Sequence, residues 1–247
     1  MTKHEFALYY PHLSDYNVTS GVITLTDKEL THRISSILRL QVNETVILFN
    51  KDIYVHLTLQ AIARNRIDAI VNAIHKNKPI EPYITALIPL LKKDALETLF
   101  YHLVELGITC YQIVTTQKVQ RSWQGEKEYQ RLENIMIAAA EQSKNFFIPH
   151  SLGQPKPLSA VIEEYNSKPI QLTKIFFDVD GQRISELFPQ LTQSNHFLIT
   201  VGPEGDLTDA EKRLLKEHNF YTCRLTPTIL RSWQAATIGI GTIRSFF

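Results

Sequence analysis

The run Leu198-Ile199-Thr200-Val201 leads directly into Gly202-Pro203-Glu204-Gly205, and Thr208-x-x-Glu211 follows. An unbroken apolar run closed by glycine and proline reads as a buried strand. The Thr-to-Glu spacing reads as a capping box that opens a helix. Strand, glycine-bearing loop and capped helix together restrict the fold to the α/β class. They place the loop at the carboxyl end of a sheet strand, where open α/β proteins bind ligands. Gly202 and Gly205 let a ligand approach the backbone closely, and Glu204 supplies one charge.

The pattern on either side of this loop changes along the chain. Ile53, Val55, Leu57 and Leu59 alternate with Tyr54, His56 and Thr58, as in a half-buried antiparallel strand. Asn50-Lys51-Asp52 reads as its turn and Val46-Ile47-Leu48-Phe49 as its partner. A helix is predicted over Asp27 to Leu40, with Leu30, Ile34, Ile37 and Leu38 on one face. These pieces read as a small β-barrel with one helix over residues 1–74, followed by a linker over 75–82, where prolines and lysines replace apolar residues.

From residue 83 to 247 strands alternate with helices. Strands are predicted at Tyr83 to Leu91, Ile108 to Thr115, Lys174 to Val179, Phe197 to Val201 and Tyr221 to Leu225. Helices are predicted at Asp94 to Leu106, closed by Gly107, and at Tyr129 to Ser143, Leu158 to Tyr165 and Ser232 to Phe246. Such alternation implies a mostly parallel sheet covered on both faces.

Composition narrows the function classes. With 26 basic and 25 acidic residues the net charge is +1, so a nucleic-acid surface has to be a local patch, and a nonspecific DNA coater is excluded. The two cysteines, Cys110 and Cys223, describe neither a disulfide scaffold nor a zinc site and read as small buried hydrophobes. The scattered histidines show no metal-ligand spacing, and no P-loop, G-x-S-x-G elbow or G-x-G-x-x-G fingerprint occurs. No signal peptide or membrane span is expected, so the default location is cytoplasmic.

Two further segments are candidates for chemistry. Leu225-Thr226-Pro227-Thr228-Ile229-Leu230-Arg231-Ser232 again joins a strand to a helix, with Ser232 expected as N-cap. It reads either as a second ligand loop suited to a flat heteroaromatic ring or as an ordinary turn. Thr115 to Lys127 interleaves Lys118, Arg121 and Lys127 with Trp123, a pattern that fits an RNA-facing loop or a solvated one. Arg33, Arg39, Lys92, Lys93 and Lys144 extend that basic set.

Taken in order, these motifs resemble the ribosomal RNA small subunit methyltransferase E family of the SPOUT superfamily. Gly202 to Thr208 is similar to G-P-E-G-G-F/L-S/T, and Leu225 to Ala236 to L-G-x-R-I-L-R-x-E-T-A-A. Glu105-Leu106-Gly107-Ile108 is similar to E-L-G-V, and Ala140-Glu141-Gln142-Ser143 with Ile148-Pro149 to A-x-E-Q-S/C-x-R and V-P. Thr31 to Arg39 is similar to H-I/L-x-x-V-L-R.

The resemblance implies a PUA-like RNA-binding β-barrel before an α/β methyltransferase domain with a trefoil knot. It further implies a homodimer that methylates uridine N3 in small-subunit ribosomal RNA, within an assembled or assembling particle, using S-adenosylmethionine. Cofactor contacts would fall to Thr200, Gly202, Pro203, Glu204, Gly205, Leu225, Thr226, Ile229, Leu230 and Ala235. Arg231 would stabilise charge developing on the base, and Arg33, Arg39, Lys92, Lys118, Arg121 and Lys144 would meet RNA. No metal, DNA or membrane partner is implied. The chain departs from the family pattern at Asp206, Thr226, Thr228, Trp233, His102 and Asn145. These departures leave two alternatives: a non-catalytic RNA-binding or ribosome-assembly protein, and a methyltransferase for another RNA.

Overall fold

The computed structural model describes residues 5–16, 21–119, 121–169 and 171–247. The expectation of no signal peptide falls in part on residues 1–4, which lie outside the described residues. The chain divides into two compact units, Met1–Lys78 with Ile137–Ile148, and Pro79–Met136 with Pro149–Phe247.

The first unit contains β1 (Phe6–Tyr9), β2 (Val22–Leu25), α1 (Lys28–His32), β3 (Thr45–Phe49), β4 (Ile53–Ala63) and β5 (Arg66–Lys76). Its sheet runs β1-β3-β4-β5-β2. The β1–β3 pair is parallel and the rest are antiparallel. The alternation over 53–59 holds. Val55, Leu57 and Leu59 are fully buried and join Leu8, Ile23, Leu25, Leu30, Ile34, Val46 and Leu48 in one core. Asn50 makes the β3–β4 turn as expected, its Oδ1 accepting from the amides of Asp52 and Ile53 at 2.9 Å.

The other face of this sheet explains why Ile137–Ile148 belongs to the first unit. The Phe146 ring lies 4.7 Å from both Phe49 and Tyr54. Asn77 Nδ2 donates to the Phe146 carbonyl at 3.1 Å, and the Tyr9 amide donates to Glu141 at 2.7 Å. The expected 75–82 linker therefore begins inside β5. His75 and Lys76 are polar, yet they pair in register with Tyr54 and Ile53, so backbone pairing overrides composition.

The helix expected over Asp27 to Leu40 is shorter and changes pitch. Asp27 caps α1 by accepting from the Leu30 amide at 2.8 Å, and a π-turn over Arg33–Ile37 follows. Thr31 and Ser35 hydroxyls donate back to the carbonyls of Asp27 and Thr31, competing with the helical ladder. The widened turn rotates the following residues. Ile37, expected on the buried face, is consequently 63% exposed.

The second unit contains β6 (Tyr83–Pro89), α2 (Lys93–Glu105), β7 (Cys110–Thr115), the first part of α3 (Glu126–Ser143), β8 (His150–Ser151), β9 (Lys156–Pro157) and α4 (Leu158–Asn166). Then come β10 (Thr173–Arg183), α5 (Phe188–Thr192), β11 (His196–Val201), α6 (Asp209–Glu217), β12 (Tyr221–Arg224) and α7 (Ser232–Arg244). Its strands pair in parallel in the order β12-β10-β11-β6-β7-β8, with β9 also on β7. The predicted elements are all present, with ends shifted by a few residues. The largest shift is in β10, which continues to Arg183 through a bulge. Phe177 and Gln182 both stand opposite Cys223, so residues 178–181 are extruded. Gly181 permits this, because a Cβ there would lie 2.5 Å from the backbone of Thr222 and Cys223.

Two helix ends need comment. Ser232 is the first residue of α7, and the cap position falls to Arg231, whose amide donates to Gln234 Oε1 at 3.3 Å. At the other end, Arg244 donates to the carbonyls of Leu106 at 2.8 Å, Pro82 at 2.7 Å and Gly107. Burial pushes its guanidinium down to about 10, so it stays charged at neutral pH. No helix among the described residues is long and apolar enough to cross a membrane.

Arg244 thus satisfies three carbonyls at the end of α2 and the start of β6. Arg244→Met is expected to leave them unpaired and to cost about 2–4 kcal/mol, with Arg244→Lys recovering part of the loss. Urea unfolding checks this, and a midpoint unchanged in Arg244→Met would contradict it.

Candidate functional site

Parallel pairing points the carboxyl ends of β10, β11 and β12 to one edge of the sheet. The segments leaving those ends line one cavity of about 960 Å³. From β10 come Phe177, Asp178 and Val179; from the β11–α6 loop come Val201, Gly202, Pro203, Glu204 and Asp206. The β12–α7 loop adds Leu225, Thr226, Thr228, Ile229, Leu230 and Arg231, and α7 adds Trp233 and Ala235. The two loops singled out in the sequence are therefore walls of the same space. A volume near the upper end of the usual range for small-molecule sites accommodates a nucleoside-sized ligand.

Of the ten residues expected to contact a cofactor, eight line the cavity. Thr200 and Gly205 are outside the lining. Thr200 is buried in β11, its hydroxyl donating to the Leu87 carbonyl at 3.0 Å and tying β11 to β6. Gly205 packs near the Lys118 side chain. Arg231 is exposed and lines the cavity.

The loops are held by specific polar contacts. The capping box is present: the Thr208 hydroxyl accepts from the Glu211 amide at 3.3 Å, and Glu211 accepts from the Thr208 amide at 2.8 Å. Glu204 accepts from the Lys92 amide at 2.9 Å, which puts a carboxylate at the start of α2. Asp206 adopts φ 61°, a left-handed conformation that aspartate tolerates better than most residues. Its Oδ1 accepts from the Leu207 amide at 2.7 Å, and its Oδ2 is 2.9 Å from the Lys212 ammonium. Lys212 also reaches Asp178 at 2.6 Å, so one lysine clamps the β10 bulge to the β11–α6 loop. Burial lowers the affinity of Lys212 for its proton, but the bonds to Asp178 and Asp206 outweigh this and hold its pKa above the ordinary lysine range.

Sequence reading missed Asp178, Lys212 and Arg224, all of which lie at or beside this cavity. The signal for Asp178 was the polar break Asp178-x-Asp180-Gly181 inside an apolar strand. Nothing local marked Lys212 or Arg224.

The residues expected to meet RNA separate into two kinds. Within the first unit Arg33 Nη2 donates to both carboxylate oxygens of Glu141, at 3.0 and 2.8 Å. Arg121 donates to the Leu91 carbonyl at 2.8 Å and pairs with Glu128. Lys118 donates to the Leu207 carbonyl at 3.2 Å. Lys92, Arg39 and Lys144 are exposed. Trp123 packs edge-on against Tyr129, 4.7 Å between centroids. Trp233, whose indole could have filled the cavity, stacks instead on His102 at 6.0 Å and 15°. His102 in turn pairs with Glu105 at 2.7 Å. Among the described residues no cluster of side chains could hold a metal ion.

Residues 77–244 match the family described as RNA methyltransferase domain. A Bacillus subtilis ribosomal RNA small subunit methyltransferase E is 24% identical, covering 95% of this chain and 94% of its own length. The protein of the same name from Rickettsia conorii is 27% identical, covering 90% and 89%. Among solved structures, a ribosomal RNA small subunit methyltransferase E from Neisseria gonorrhoeae bound to S-adenosyl methionine aligns with a TM-score of 0.79 at 22% identity, covering 99% of this chain and 98% of that one. A methyltransferase structure from Legionella pneumophila with bound SAM aligns at 0.77 and 22% identity, covering 98% of each chain. At these identities the structures establish a shared fold.

Cys223 lines the cavity yet is fully buried, while Cys110, expected to be buried too, is partly exposed. Burial pushes the Cys223 thiol up to about 12, so it stays protonated through neutral pH. Its alkylation by iodoacetamide at pH 8 is expected to run roughly a thousandfold slower than that of a free thiol and to climb steadily with pH. Site-resolved mass spectrometry measures the rate; modification within minutes at pH 8 would contradict the burial argument.

Proposed function

Because the chain belongs to the RNA methyltransferase domain family, we propose that it is an S-adenosylmethionine-dependent methyltransferase acting on uridine N3 of small-subunit ribosomal RNA. The observation that carries this reading is the single cavity walled by the two strand-end loops, open beside the stacked Trp233. The names of the relatives, and the cofactor in the Neisseria structure, support it.

The residues present fit such a cofactor. Val201, Leu225, Leu230 and Ala235 give apolar surface for an adenine ring, and loop backbone supplies donors and acceptors. Asp94 and Glu204 on the α2 side carry charge of the sign that suits a sulfonium, while Asp178 and Asp206 are already matched by Lys212. When bound, the cofactor supplies an electrophilic methyl group on a sulfonium. The protein's part is to hold the uracil nitrogen in line with that methyl, which needs no covalent enzyme intermediate. As N3 loses its proton, negative charge spreads to the ring oxygens. Arg231, exposed on the cavity wall at the start of α7, is the guanidinium to which we assign the stabilisation of that charge. We propose that the chain works as a homodimer and that its final loops form the knot the family resemblance implies.

Calorimetry with S-adenosylmethionine is expected to show saturable binding tighter than roughly 0.1 mM. Arg231→Ala should lower the methyl-transfer rate by about 100-fold or more while leaving cofactor affinity within about threefold. Nucleoside mass mapping of small-subunit RNA from a deletion strain should lose one N3-methyluridine. RNA binding with no cofactor heat at millimolar ligand would instead favour a scaffold that only grips RNA.

A further inference from the structure

The charges around the cavity are unevenly matched. Three of its carboxylates are engaged, since Asp178 and Asp206 hold Lys212 and Glu204 holds the Lys92 amide, and the fourth, Asp94, lies in the first turn of α2. Its guanidiniums are not. Arg224 and Arg231 line the wall on the β12–α7 side, and among the described residues neither side chain has a carboxylate partner. Arg33, Arg66, Arg121 and Arg131 are ion-paired, while Arg39, Arg64 and Arg213 lack a carboxylate partner among the described residues just as Arg224 and Arg231 do, so it is the position of Arg224 that sets it apart.

The position of Arg224 is unusual. It stands in direct register with Arg183 of the neighbouring parallel strand β10. Residues paired this way emerge on the same face, with backbones roughly 5 Å apart, and like charges so placed repel. Among the described residues no acidic side chain pairs with Arg183 either, and it is exposed. A repulsive pair that spans the edge strand and its neighbour is relieved when one anion bridges both guanidiniums, whose planar forks suit an oxyanion. Arg224 reaches into the cavity lining while Arg183 lies outside it, which places the anion at the mouth rather than the floor.

We propose that Arg224 and Arg183 form a phosphate-binding site that grips the backbone of the RNA strand beside the modified nucleotide. This rests on the reading of the cavity as a methyltransferase site. The site would fix the position and register of the strand, leaving the base to the cavity.

The test compares Arg224→Gln, Arg183→Gln and Arg224→Lys with the wild type. Each is titrated with a small-subunit ribosomal RNA transcript at salt concentrations from roughly 50 to 200 mM, and separately with S-adenosylmethionine. The expected result is a loss of RNA affinity of about 5- to 30-fold for either glutamine variant at the lowest salt. The slope of log affinity against log salt should shrink by about 0.7–0.9, the value for one lost phosphate contact, and the lysine variant should restore it. Cofactor affinity should stay within about twofold of wild type. An unchanged salt slope in both glutamine variants overturns the site. So does a loss of cofactor affinity at constant RNA slope, which would assign Arg224 to the carboxylate of the methyl donor. If the wild type binds RNA but no cofactor, the methyltransferase reading fails while the slopes still judge the arginine pair.

Discussion

The site depends on one pairing: β10 lies in parallel between β11 and β12. Parallel strands share an orientation, so three carboxyl ends and the segments leaving them meet at one edge. Neither loop alone encloses anything. Gly202 to Asp206 supplies one wall and Leu225 to Arg231 the opposite one, with the β10 bulge between them. The bulge exists because Gly181 has no Cβ to collide with the β12 backbone. Lys212 then joins the bulge to the first wall through Asp178 and Asp206.

This arrangement gives a physical account of several departures from the family pattern. Asp206 takes over a position where a second glycine would serve, tolerates the left-handed backbone, and adds both a local hydrogen bond and an ion pair. His102 and Trp233 are two departures that turn out to be one, since their rings stack on each other across α2 and α7. The stack holds the indole at the side of the cavity. Thr228 bears no charge, while Arg224, four residues earlier, places a guanidinium in the same lining.

Much of the fold was legible in the residues themselves. The alternation at 53–59, the helical spacing from Leu96 to Leu103 and the capping box at Thr208 are local signals, and each element formed where its signal lay. One departure was local, and the others arose where a distant partner decides. The helix after Asp27 changed pitch because hydroxyls of Thr31 and Ser35 turned back onto its carbonyls. His75 and Lys76 looked like linker and are strand, because β4 offers them a ladder. Glu141 and Phe146 looked like part of the second domain and pack with the first unit, through contacts to Tyr9 and Phe49 more than ninety residues away.

The order of residues alone determined the α/β class and the two strand-end loops that wall the cavity. Periodicity, glycine and capping residues act over a few positions and need no knowledge of the rest of the chain. Tertiary structure decided which charges are free. Arg33 and Arg121 carry the same side chain as Arg224, yet Glu141 and Glu128 neutralise the first two, whereas strand register sets the third beside Arg183. Whether a cation is available to a ligand depends on what lies within a few ångströms of it, and only the folded chain fixes that distance.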